Sequence, residues 1–205
     1  MHFKHQGCDL ITLETGMGGR LDASTAVPAD IAVITPVAMD HSQWLGETLS
    51  EIAAEKAGIM VEGKPTLSSS QHPDVYQVLK QHAHRIKSPI EFILDPYTKS
   101  SISLKGAHQL HNAALAIAAV RDAGIPTNAE IISDSLAHVC WPGRFEHCQA
   151  PYSPNGLILD AAHNIHAAEA LVETWQQHYP NQKATIIFGA VEGKNTNQVI
   201  SGLSE

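Results

Sequence analysis

Two hydrophobic periods alternate along the chain, and their alternation predicts its elements. Residues 9–13, with Leu10 and Ile11, and residues 29–35, with Ile31, Val33 and Ile34, are short β-branched-rich apolar runs that read as buried strands. Polar residues follow each run, so a sheet built from them delivers side chains to one edge. From 50 to 58 the apolar positions Ile52, Ala53 and Ala57 adopt helical spacing, with Gly58 as a stop. The turn Gly63-Lys64-Pro65 leads to a strand and then to Ser68-Ser69-Ser70. Residues 74–86 form an amphipathic helix, and residues 90–104 read as short strands divided by Asp95-Pro96. The Ala- and Leu-rich residues 112–123 give the clearest helix, which Gly124 and Pro126 end. A further helix covers 128–139, followed by a turn at Trp141-Pro142-Gly143-Arg144-Phe145.

The pattern changes near residue 150. Gln149 to Gly156 is rich in Pro, Ser, Asn and Gly and has linker composition. A boundary there gives a first domain over 1–149, a linker over 150–156 and a second domain over 157–205. Beyond it, residues 157–160 read as a strand, 165–178 as a helix and 184–189 as a strand, a βαβ unit with a right-handed crossover. The fold class is α/β. The chain stops at Glu205 with too little material to cover a parallel sheet, so the second domain is expected to be cut short.

Composition narrows the chemistry. A hydrophobic content of 43% and 17% charged residues fit a packed globular protein, and a formal charge of -8 without basic runs excludes a nucleic-acid footprint. Cys8, Cys140 and Cys148 lack metal-site spacing and are odd in number, which fits a reducing compartment; a cytoplasmic location is expected. No run is apolar enough to span a bilayer and the start carries no signal-peptide core, so no membrane partner is expected. The 13 histidines are mostly scattered, although His108/His111 and His163/His166 share helix faces.

Three places offer site chemistry, and each has a plain structural alternative. Gly16-Met17-Gly18-Gly19-Arg20-Leu21 resembles a dinucleotide fingerprint, but Leu21 holds the last glycine position; a turn that lets backbone amides approach a ligand is the alternative. Glu14 and Asp40-His41 each follow an apolar run and suit either a magnesium ion with water and phosphate ligands or a capped loop. Lys56 is either a solvated helix charge or, near a metal, a nucleophile or carbamate.

Six blocks in order decide among these readings: Glu14-Thr15-Gly16-Met17-Gly18-Gly19-Arg20-Leu21-Asp22-Ala23, Asp40-His41-Ser42-Gln43-Trp44-Leu45-Gly46, Glu55-Lys56-Ala57-Gly58-Ile59, the run from Gly106 through Asn112, Pro142-Gly143-Arg144-Phe145-Glu146 and Asp160-Ala161-Ala162-His163-Asn164. In this order they resemble the folylpolyglutamate synthase and dihydrofolate synthase family over nearly the whole chain, with kinship to the Mur ligases. The resemblance implies part of a Mur-ligase-like central ATPase domain followed by a truncated Rossmann-like C-terminal domain. It implies an ATP-dependent amide ligase in which a pteroate or folate carboxylate takes the γ-phosphoryl of ATP and the amine of L-glutamate displaces phosphate. ATP and Mg2+ are the implied cofactors; dihydropteroate or folate and L-glutamate are the implied partners of an enzyme that is monomeric when complete.

Carried over by motif, Glu14 and His41 bind magnesium, and Lys56 is a carbamylated catalytic lysine that helps hold a second ion. Leu21, Asp22 and Ala23 line the pterin site. Asn112, Arg144 and Asp160 contact ATP, while His163, beside Asn164, is a catalytic-cleft contact for glutamate or phosphate. The sequence departs from the family pattern at Ile165, where Pro commonly follows His-Asn, and at 189–195, which lacks Asp-Lys-Asp after the strand. It also has no phosphate loop ending in Gly-Lys-Ser or Gly-Lys-Thr. The expectation is therefore a piece of a longer enzyme, inactive alone. The alternatives are an inactive folate- or nucleotide-binding remnant and a Mur-type ligase for a cell-wall precursor; the Leu21-Asp22-Ala23 block favours folate over the latter.

Overall fold

Strand β2 (Thr66–Ser69) organises the first lobe, because all four of its residues are buried. A strand covered on both faces needs a layer of helices on each side. β2 lies at the centre of a parallel sheet of order β1-β2-β3, flanked by β1 (Ala32–Ile34) and β3 (Ile90–Ile93). The register sets Val33 and Glu91 beside Leu67, and Ile34 and Phe92 beside Ser68. The structure, a computed structural model, describes residues 2–150, 153–190 and 196–204.

Helices α3 (Leu49–Ala57) and α4 (Pro73–Arg85) cover one face with the larger core, in which Ile34, Ile52, Ala53, Val75 and Leu79 meet. Helix α5 (Ala107–Asp122) covers the other face, packing Leu115 and Ala118 on Leu67. Buried hydroxyls on β2 are satisfied locally: Thr66 Oγ1 lies 2.9 Å from Ser88 Oγ, whose own hydrogen bond runs to Lys64 O at 2.7 Å. The helix starts follow capping rules. Thr48 and Glu51 form a capping box on α3, and Pro73 occupies the first turn of α4. A short helix α1 (His2–His5), the one-turn α2 (Ser42–Leu45) and α6 (Ala129–His138) complete the first lobe.

The second lobe pairs β4 (Glu146–Ala150) with β5 (Ser153–Leu159) antiparallel, followed by α7 (Ile165–His178) and α8 (Thr196–Leu203). Rings tie the hairpin to the end of α7: Phe145 lies 5.6 Å from His178, and Trp175 stacks 4.6 Å from Tyr179. Ala168 and Val199 are buried between α7 and α8.

Several sequence expectations differ from this architecture. Residues 9–13 and 184–189 are not strands. A strand needs a hydrogen-bonded neighbour, and no described strand lies beside either run; Ile187 is 96% exposed. The expected βαβ unit is therefore absent, and β5 pairs with the preceding strand instead. Residues 153–156, expected in the linker, belong to β5, whose Ser153 pairs with Ala150 across a shift of register that the composition did not reveal. Of 90–104 only β3 is strand. Helix α5 begins at Ala107, five residues before the expected start, because polar His108, Gln109 and His111 hide the helical period. The departure at 191–195 lies outside the described residues.

Leu79 is fully buried where α4 meets the sheet. Leu79→Ala is expected to lower unfolding free energy by about 2–5 kcal/mol in urea titration. A loss below about 1 kcal/mol would contradict the helix layer described here.

Candidate active site

The carboxyl edge of a parallel sheet is where α/β proteins place ligands. Here Thr35 follows β1, Ser69 and Ser70 end β2, and Leu94 follows β3; all four line one cleft of about 730 Å³. The opposite wall comes from the second lobe and includes Asp160, His163 and Asn164. Asn112 from α5 and Arg144 from the turn before β4 also face it. Four of the residues singled out by sequence, Asn112, Arg144, Asp160 and His163, thus meet in one cleft.

Asp160 shapes that wall through the backbone. Its Oδ2 accepts the Phe145 N–H at 2.8 Å and its Oδ1 accepts the Ala162 N–H at 2.8 Å. The Ala161 N–H donates to Gly143 O at 2.9 Å, so the turn carrying Arg144 and the loop carrying His163 are laced together. Phe145 pays for this with a left-handed backbone at φ 48°, which its burial at 4% exposure secures. The Asn112 amide donates to Gln109 Oε1 at 3.1 Å, and Asn112 lines the cleft.

At the start of α5, Gly106 has φ 103°, and a Cβ there would sit 2.6 Å from both His108 Cε1 and Thr174 Oγ1. Only glycine allows α5 and α7 to approach this closely. Burial pushes the His108 imidazole down, opposed by the charges of Asp160 and Glu173 and assisted by those of Arg144 and His166. His108 and Lys105 line the same cleft; the sequence placed His108 on one helix face with His111 without giving it a site role and gave none to Lys105. The signal available was their position at the mouth of a helix entered through glycine.

The glycine-rich loop lies elsewhere, on the end of α3. The Arg20 N–H donates to Glu55 O at 2.8 Å, and the Arg20 guanidinium reaches Glu55 Oε1 at 2.8 Å. A Cβ on Gly19 would meet Glu55 O at 2.7 Å, and one on Gly58 would meet Arg20 Cα at 2.4 Å. The two glycines are therefore matched surfaces of one contact. Asp22 closes the loop: its carboxylate accepts the Met17 N–H at 3.0 Å and the Ser24 N–H at 2.9 Å, capping the short turn Ala23–Ala26. The Met17 amide, then Ser24, hold the Asp22 carboxyl down to about 2. Leu21 is 80% exposed beside it, and Ala23 opens the turn.

Lys56 is half-buried on α3 and its side chain makes no hydrogen bond or ion pair among the described residues; the Glu14 side chain is exposed and equally unengaged. His41 adopts a left-handed φ of 52° at the start of α2. Neither Glu14, His41 nor Lys56 lines the cleft, nor do Leu21, Asp22 and Ala23. Among the described residues no three His, Cys, Asp or Glu side chains converge into a metal cage. A carboxylate and an imidazole remain a chemically suitable pair for a hard cation that keeps water and phosphate as its other ligands. Asp40 connects the two regions, since its Oδ2 lies 2.9 Å from Asn164 Nδ2 and 3.4 Å from His163 Nε2.

Comparison with known proteins assigns this arrangement to a class. Residues 143–204 match the Mur ligase, glutamate ligase domain. The chain is 32% identical over 95% of its length to the dihydrofolate synthase/folylpolyglutamate synthase of Bacillus subtilis, and 33% identical over 94% to that of Escherichia coli. Among solved structures, a folylpolyglutamate synthase–AMPPCP–folate complex superposes over 99% of the chain with TM-score 0.88 at 25% identity. The Escherichia coli enzyme in complex with DHPP and ADP covers 98% with TM-score 0.84 at 28% identity. The fold is that of the folylpolyglutamate synthase structures it superposes on, and the Mur ligase match covers the second lobe. Over nearly its whole length the chain is similar to folylpolyglutamate synthase/dihydrofolate synthases. It spans about half the length of the relatives it matches, 51% of the Bacillus subtilis protein and 55% of the AMPPCP–folate structure.

The Asp22 carboxylate gives a pH prediction. Because folding lowers its value from 3.8 to about 2, its contribution to loop order is fully present above 3.8 and is lost as pH falls through about 2. Carboxyl NMR titration should find the Asp22 midpoint near the lower value; a midpoint at 3.8 would show that the Met17 and Ser24 hydrogen bonds do not form.

Proposed function

We propose that this chain forms part of an ATP-dependent amide ligase that adds L-glutamate to dihydropteroate, tetrahydrofolate or both. The observation that carries the reading is the cleft in which Asn112, Arg144, Asp160 and His163 meet at the carboxyl edge of the sheet. The relatives' complexes with AMPPCP and folate, and with DHPP and ADP, support nucleotide and pterin as its ligands. In the reaction, a carboxylate oxygen attacks the γ-phosphorus and ADP leaves. The glutamate amine then attacks the acyl carbon, loses a proton, and inorganic phosphate departs with the former carboxylate oxygen.

Arg144 supplies a guanidinium for phosphate oxygens, and its planar fork stays charged at any working pH. Asn112 contacts the nucleotide from α5. Asp160 holds the Arg144 turn through the Phe145 amide and faces the nucleotide from the second lobe. His163 contacts glutamate or phosphate across the cleft. Leu21, Asp22 and Ala23 line the pterin site, where the exposed Leu21 offers an apolar contact. Glu14 and His41 would hold a magnesium ion, and a carbamate on Lys56 would add a carboxylate for a second; such ions neutralise charge on phosphate oxygens. The half-buried, unengaged Lys56 ammonium suits that modification. The family match from residue 143 supports counting the β4–β5 hairpin with the glutamate-ligase domain, so the boundary assigned to 150–156 moves toward α6. No described helix is long and apolar enough to cross a membrane, and we place the enzyme in the cytoplasm as a monomer.

The test is glutamate-dependent phosphate release from ATP by the protein purified at its natural length, with dihydropteroate or tetrahydrofolate as acceptor. Amide product equal to phosphate released is expected; nucleotide binding without release would make this a binding remnant. Arg144→Ala should weaken AMPPCP binding by about tenfold or more, since a charge-assisted hydrogen bond contributes about 1.5–3 kcal/mol. Unchanged affinity would remove Arg144 from the nucleotide site. Lys56→Ala should abolish turnover with the circular dichroism spectrum unchanged, and full activity would end the carbamate assignment.

A further inference from the structure

Asp40 occupies a place that the ligase reading leaves without a role. Its position is set from both sides by burial. The Val37 N–H donates to Gln71 Oε1 at 2.9 Å while Gln71 Nε2 donates to Thr35 O at 2.9 Å, and Leu45 anchors α2 in the core. The Asp40 Oδ1 accepts the His41 N–H at 2.8 Å, and Oδ2 lies 3.9 Å from His41 Nε2 in the same loop. Oδ2 faces the other lobe, 2.9 Å from Asn164 Nδ2 and 3.4 Å from His163 Nε2.

Asn164 is the cap of α7, and its Oδ1 accepts the Ala167 N–H at 2.9 Å. One amide therefore caps the helix with its oxygen and grips Asp40 with its nitrogen. The carboxylate also stands at the positive end of a 14-residue helix, where negative charge is favoured. His163 is held from its other side by Nδ1 against Ala161 O at 2.9 Å. We propose that Asp40 is a positioning residue, an inter-lobe clasp whose carboxylate fixes the start of α7 and so sets where His163 stands in the cleft relative to Arg144. Gly106 and Thr174 also approach closely across the lobes, but that contact is steric and carries no hydrogen-bond direction.

Exchanging the partners tests the clasp. In Asp40→Asn the amide oxygen stays with the His41 N–H, which sets one NH2 against the NH2 of Asn164. In Asn164→Asp the cap of α7 survives, but two carboxylates face each other. The double variant restores a donor opposite an acceptor with the direction reversed. Each single variant should speed amide hydrogen exchange across residues 160–167 by about tenfold, and the double should return to within about threefold of the parent protein. Unchanged exchange in both singles, or a double no better than the worse single, overturns the clasp.

The consequence for catalysis rests on the ligase reading: each single should raise the KM for glutamate about tenfold with kcat changed less than about threefold, and the double should recover. The two failures are distinguishable. The expected exchange pattern without phosphate release in the parent protein removes the ligase reading and keeps the clasp. Release in the parent protein with exchange indifferent to both singles does the reverse.

Discussion

The complete burial of β2 is the constraint from which the rest follows. A strand covered on both faces forces α3 and α4 to one side and α5 to the other. Parallel neighbours then send every chain exit to the same edge. Hydrophobic burial fixes the layers, but the polar character of β2 matters as well. Thr66, Ser68 and Ser69 are buried hydroxyls, each with a hydrogen bond close by, so the strand ends in polar residues without interrupting the core. Ser69 consequently reaches the cleft as part of the sheet itself, which is a stiffer support than a loop, and Ser70 follows it directly.

Around that edge, aspartates do their work through main-chain amides. Asp22 gathers Met17 and Ser24, Asp160 gathers Phe145 and Ala162, and Asp40 turns His41. In each case a carboxylate accepts hydrogen bonds from a loop that has no ladder partners of its own, which shapes the loop without a strand. The motifs in which these aspartates stand are thus structural and chemical together. Beside Arg144, Asp160 holds the backbone on its C-terminal side in a left-handed turn that Phe145 would not adopt unaided.

This double use explains what was legible in the sequence. Helices α3, α4, α6 and α7 were readable within a residue or two, because their apolar period and caps are local properties. The strands at 9–13 and 184–189 were not, because a strand is a relation between two segments. Leu10 at 57% exposure and Ile186 at 50% carry the apolar signal of burial without a described neighbour to bury against. The meeting of Asn112, Arg144, Asp160 and His163 was readable only through ordered motifs, since no spacing links α5 to α7. Lys105 and His108 escaped notice because their environment, crowded by Gly106 and the charges of the second lobe, is made by tertiary packing.

The two ties between the lobes differ in kind, and the difference decides how the cleft behaves. The contact of Gly106 with Thr174 is a fit of surfaces, and dispersion holds its separation while leaving rotation about it soft. The Asp40–Asn164 contact has direction, because an amide nitrogen can only donate and a carboxylate can only accept. A steric pivot with a directional latch at a distance defines an angle, which neither defines alone. Under the proposed ligase reading, a cleft that brings a nucleotide, a pterin and an amino acid together gains from separating holding from aligning.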